Sequence, residues 1–252
     1  MSAPIDLRAA ARARAVTLEG EPLDRGQALA TWRGRMINEF ASAPVFADLA
    51  AQLDEAGAEP TLVAEVRAMA DEERHHGALC GAVVVALGGE AVAPAPHRER
   101  LPGHPAVDRF EAVTRNLLSV CCLSETVACA LIDAERREAP AGPLRDVLGS
   151  ILADEVGHAR LGWRWLAAHA ERLAEPALRA RLGDWLAVAF AHVEAHELAN
   201  LRPGATPDPA FGVCDGADAR GLFYDTVEQV IVPRLTAHGL PAAEAWSRRG
   251  AA

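Results

Sequence analysis

Apolar residues recur along this chain at intervals of three and four, the spacing of an amphipathic helix, and clusters of Gly and Pro interrupt the pattern. The first periodic stretch runs from about Asp24 to Asp54 and stops at Ala56-Gly57-Ala58-Glu59-Pro60. A second, about Thr61 to Leu87, ends at Gly88-Gly89, a natural helix C-cap. Residues 90–105 are Pro-rich and without helical period. A third stretch spans about Ala106 to Glu138, and the turn Ala139-Pro140-Ala141-Gly142-Pro143 leads to a fourth, about Leu144 to Leu173. Two more, near Pro176 to Leu201 and Ala219 to His238, lie around a loop with Pro203, Pro207, Pro209 and Cys214.

Connection lengths convert these stretches into an architecture. Short turns make the first and second helices antiparallel neighbours, and likewise the third and fourth. The middle link can reach roughly 50 Å at about 3.3 Å per residue, more than the roughly 40 Å height of the second helix. One long crossover between two hairpins is the connection of a ferritin-like four-helix bundle. The expected fold is therefore all-α: one domain over residues 1–252, with a bundle core at about 24–173. Two additional C-terminal helices occupy the extension at about 174–252.

Composition agrees. Half the residues are apolar but only 5% are aromatic, with Ala and Leu dominant. The net charge of −10 disfavours nucleic acid or an anionic membrane as the main partner. The Ala/Arg-rich start lacks a secretory core, and the longest apolar run, Gly77 to Leu87, is too short to span a bilayer. Five cysteines without a C-x-x-C pair fit a reducing cytoplasm and exclude a rubredoxin-type site.

The two hairpins repeat. Ala70-Asp71-Glu72-Glu73-Arg74-His75 returns as Ala153-Asp154-Glu155-Val156-Gly157-His158, and a glutamate precedes each copy by about thirty residues, Glu39 and Glu125. Glu-x-x-His places a carboxylate and an imidazole one turn apart on one helix face, and bundles that hold two metals combine two such pairs with two further glutamates. The expected ligands are Glu39, Glu72, His75, Glu125, Glu155 and His158.

A single pair is expected by chance, so burial and height must carry the case. Glu125 falls among Leu118, Cys121, Cys122, Ala128, Cys129 and Ile132; Glu39 among Trp32, Met36, Ala43, Phe46 and Ala50. Glu155 shares its face with Leu148, Ile151, Leu152, Ala159 and Leu166, and Glu72 with Ala68, Met69, Leu79 and Val83. Buried carboxylates need cations or protons. Each glutamate pair is centred on its turn, so all four can meet at one level. Glu73 and His76 offer a competing pair, on a face with Val66, Met69, Cys80 and Val84. Register against the second copy favours Glu72 and His75.

From about residue 30 to 170 the chain resembles the ferritin-like di-iron carboxylate superfamily. Asp71-Glu72-Glu73-Arg74-His75 is similar to the D-E-x-R-H motif of its oxygen-activating branch, although Gly157 replaces the arginine in the second copy. The resemblance implies Glu72 and His75 as ligands, with Asp71 and Asp154 orienting the opposite imidazoles. It also implies two iron ions, with manganese as the alternative metal. Three function classes follow: an oxidase or oxygenase acting with dioxygen on a small organic substrate, a ferroxidase or iron-binding ferritin-like protein, and a metal-free helical scaffold. The first is favoured; it needs an unidentified electron donor, and pairing into a homodimer is open. His192 and His196 read as end caps of the bundle, and Cys121, Cys122 and Cys129 as small core residues. Tyr224 falls outside the bundle, Trp32 and Trp163 are candidate electron carriers, and Pro44 is expected to kink the first helix.

Overall fold

A computed structural model describes residues 4–94, 100–201, 204 and 206–251, so part of the middle link and Pro203 lie outside the described residues. The described chain is almost wholly helical: α1 (Arg8–Arg12), α2 (Arg25–Glu55), α3 (Pro60–Ala86), α4 (Arg109–Glu138), α5 (Pro143–Ala168), α6 (Ala170–Leu173) and α7 (Pro176–Asn200). Then come α8 (216–237) and α9 (Ala242–Arg248). Two short strands, β1 (Ile5–Asp6) and β2 (Val92–Ala93), pair antiparallel, with Ile5 opposite Ala93.

Local chemistry sets the ends. Asp24 caps α2 by accepting from the Gln27 amide at 3.0 Å, and Gly57 closes it at φ 76°. Pro60 opens α3, where its missing N–H costs nothing, and Gly88 ends it at φ 84°. Asp108 caps α4 through the Glu111 amide at 2.9 Å. Pro44 sits inside α2 without ending it. Within α4, Leu118–Ser124 forms a π turn, and a second π turn, Val227–Ile231, interrupts α8.

Contacts group the chain into two compact units: Met1–Leu101 with Asp133–Asp154 and Ala205–Asp215, and Pro102–Ile132 with Glu155–Gly204 and Gly216–Ala252. The helices α4 and α5 are continuous and contribute to both.

In the first unit, α2 and α3 form an antiparallel hairpin. Gly77 allows the close approach: a Cβ there would lie 3.3 Å from the Phe40 Cβ and backbone nitrogen. The core is Trp32, Met36, Phe46, Leu49, Leu53, Val66, Val83 and Val84. The Trp32 indole donates to the Phe211 carbonyl at 2.8 Å, and Gly212, at φ 69°, fits against its ring.

In the second unit, Arg181 bonds Glu111 and Trp185 bonds the Arg115 carbonyl at the same sequence offset of 70, so α7 runs parallel to α4. The short α9 docks on α7, with Phe190 edge-on to Trp246 at 5.2 Å. The C-terminal half of α5 lies against α4 through Trp163 to Thr126 and Trp165 to Thr114.

The expected bundle helices are present to within a few residues. The strand ribbon, α1 and α9 are additions that the pattern did not announce, because each is too short for a periodic signal. Among the described residues, only Arg109–Glu138 is long and apolar enough to cross a membrane by length and composition, and it carries Glu111, Asn116 and Glu125.

Candidate metal centre

The α2–α3 hairpin brings Glu39, Glu73 and His76 to one level. His76 is fully buried and Glu73 is 2% exposed. The His76 ring is held from both edges: Nδ1 lies 3.4 Å from Glu39 Oε2, and Nε2 bonds Asp154 Oδ2 at 3.1 Å. A carboxylate on Nε2 keeps that nitrogen protonated and turns the Nδ1 lone pair toward Glu39, the arrangement that orients imidazole ligands in metal proteins.

The second set lies on α4 and α5. Glu155 is 2% exposed and His158 is fully buried, with His158 Nδ1 at 3.1 Å from Glu155 Oε2. Glu125 is the first α-helical residue after the π turn. On the preceding turn, the Cys121 thiol is pushed well above its ordinary value by burial, and further by Cys122 and Glu125. Gly162 makes room for this turn: a Cβ there would meet Cys122 Sγ at 2.6 Å and Cys121 Cβ at 2.8 Å.

Ligand atoms of Glu39, Glu73, His76 and Glu155 all lie within 4.8 Å of one another, as do those of Glu73, Glu125, Glu155 and His158. The two groups share Glu73 and Glu155. Two carboxylate charges about 5 Å apart repel by about 3 kcal/mol at an effective dielectric near 20, and four compound that repulsion. Divalent cations would relieve it, and carboxylate oxygens and imidazoles are donors that suit them. The donor set fits a pair of metals.

Of the expected ligands, Glu39, Glu125, Glu155 and His158 are in these groups. Glu72 and His75 are not; Glu73 and His76 take their places. One step along a helix is a 100° rotation. Of the face assigned to Glu72, Ala68 is exposed and Leu79 only half-buried, whereas Val66, Met69, Cys80 and Val84 beside Glu73 are all buried. His75 turns outward and accepts from Arg14 Nε at 3.1 Å. Asp71, 82% exposed, pairs with Arg74 at 2.5 Å and holds no imidazole. Asp154 bonds His76, not the His75 that the resemblance implied. His192 and His196 are exposed on α7 with their rings 6.3 Å apart. Tyr224 donates to Glu194 at 3.0 Å, in the C-terminal extension.

No family model matches the chain, and no curated protein matches it. Among solved structures it is similar to "Protein 19 with aldehyde deformylating oxidase activity from Synechococcus", with a TM-score of 0.59 and 19% identity over 91% of this chain and 100% of that one. The fold and the site define a ferritin-like, all-α protein. It carries a largely buried carboxylate–imidazole cluster with a donor set that suits metal ions.

Proposed function

We propose that the chain binds two iron ions through Glu39, Glu73, His76, Glu125, Glu155 and His158, and uses dioxygen to oxidise a small organic substrate. The observation that carries this reading is the overlap of the two four-residue groups at Glu73 and Glu155. Bound iron would supply the electrons that activate dioxygen. The chain's own residues neutralise and fix that centre: Asp154 holds the His76 tautomer, and apolar side chains on every contributing helix keep water from competing for the ligands. The similarity to a protein with aldehyde deformylating oxidase activity supports an organic substrate over iron itself, and makes aldehydes the first class to try.

The test is anaerobic loading with ferrous iron followed by exposure to dioxygen. Two irons per chain, with oxygen uptake that accelerates on adding an aldehyde or another small organic compound, support the proposal. Uptake that tracks added iron alone and ignores organic compounds would point instead to a ferroxidase. A chain that binds no iron at all would return it to a helical scaffold.

A further inference from the structure

Helix α7 buries Leu186, Phe190 and Val193, and its other side leaves Val188, His192, Ala195, His196 and Ala199 exposed. His192 and His196 stand one turn apart there, at the i, i+4 spacing that points two side chains the same way. Their rings are near-parallel at 17°, with centroids 6.3 Å apart. Among the described residues, each ring's contact is with the other, and neither exchanges a hydrogen bond or an ion pair. An end cap would bond a helix-terminal carbonyl, and neither ring does. The rings of His75, His104 and His169, by contrast, are each engaged by a side chain or a carbonyl. Glu194, between the pair in sequence, is turned to other partners: it accepts from Arg249 Nε at 2.9 Å and from the Tyr224 hydroxyl at 3.0 Å. Two exposed imidazoles therefore share one face with their nitrogens open to solvent.

We propose that His192 and His196 form a mononuclear site for a divalent transition metal of the zinc, nickel or copper class, on the outside of α7 and independent of the carboxylate cluster. Imidazole suits these ions, and at a given nitrogen site they bind more tightly than ferrous iron. An ion held about 2 Å from a nitrogen of each ring lies about 3.2 Å from each centroid, so two rings can share it at centroid separations up to about 6.4 Å. The observed separation is inside that limit, and exposed side chains rotate without disturbing any packing. Once one nitrogen binds, the second is presented at high local concentration, so the pair holds an ion more tightly than either ring alone. The chain supplies two ligands and water the remaining positions, which leaves the ion open to donors from outside. The net charge of −10 favours the approach of a dication.

The test passes the full, untagged chain, stripped of metal with a chelator, over immobilised nickel. A buried cluster cannot reach an ion fixed to a resin, so the column reads exposed imidazoles. The wild type is expected to be retained, and His192→Ala and His196→Ala to elute at about a tenth of the imidazole concentration. In the Glu155→Ala chain, titration against a chromogenic chelator should show one zinc site whose affinity falls about tenfold when either histidine is replaced. A control moves the second histidine: His196→Ala with Ala199→His keeps the number of exposed histidines but sets the two about 10.5 Å apart along the helix, too far to share an ion. It should behave as His196→Ala alone. Equal retention of wild type and both single variants overturns the site, and so does recovery of retention by Ala199→His, which would show that the number of surface histidines governs. The replaced positions on α7 are exposed, so these variants keep the fold, and a chain that takes up no iron at the cluster leaves the column test unaffected.

Discussion

Glu72 and Glu73 are neighbours in sequence with the same side chain, yet only Glu73 is buried, and the difference is one 100° step around α3. The same step separates His75, held outward by Arg14, from His76, held inward by Asp154. Metal uptake should therefore separate the two pairs. Glu73→Ala and His76→Ala are expected to lose most bound iron, while Glu72→Ala and His75→Ala keep it; elemental analysis of the four purified variants reads this directly. Loss in the second pair and retention in the first would reverse the assignment. Asp154→Ala frees the His76 ring without removing a ligand, and should weaken metal affinity about 10–100-fold. A competition titration against a chelator measures that.

At the scale of elements, α5 approaches the π turn of α4 closely, and Gly162 permits it. Gly162→Ala drives a methyl into Cys121 and Cys122 and should cost about 1–3 kcal/mol, seen as a lower melting temperature. Gly157, on the same helix, has open space where a Cβ would stand, with nothing within 4 Å, so Gly157→Ala should be neutral or stabilise by about 0.5–1 kcal/mol. A matched gain in both variants would show that helix propensity, not the close contact, governs. Helix α7 offers a titration. Burial raises the Glu197 carboxyl from 4.5 to about 7. The folded state then binds more protons than the unfolded one across that window, so this group lets stability fall as pH rises from 4.5 to about 7. Allowing for its partial exposure, the effect is about 2 kcal/mol. Denaturant unfolding at pH 5 and pH 8 should show that difference shrinking in Glu197→Gln. An unchanged difference would mean that another group titrates.

For the whole molecule, metal binding would be linked to folding, because the clustered residues come from four helices spread over more than a hundred residues. At metal a thousand-fold above its dissociation constant, the folded state gains about 4 kcal/mol. Removing iron with a chelator should lower the melting temperature, and restoring it should reverse the drop. Glu155→Ala, which takes a ligand from both groups, should melt at the same temperature with or without metal. A melting temperature indifferent to metal in the wild type would rule out a structural role for the ions.

The sequence by itself determined the helices, their turns and the pairing of hairpins, because these depend on local signals: apolar period, caps such as Asp24 and Asp108, and Gly or Pro at the breaks. It also carried four of the six clustered residues: Glu39, Glu125 and Glu155 are each centred on an apolar face, and His158 follows Glu155 at the Glu-x-x-His spacing. Only the tertiary structure decided between Glu72/His75 and Glu73/His76. The repeat favoured the first pair because Ala-Asp-Glu-x-x-His recurs letter for letter, but a string of letters has no rotation. Burial of Val66, Met69, Cys80 and Val84 turns α3 so that the second pair faces inward. The contact of Trp163 with Thr126 was likewise beyond reach, because it joins two helices whose meeting depends on how they pack.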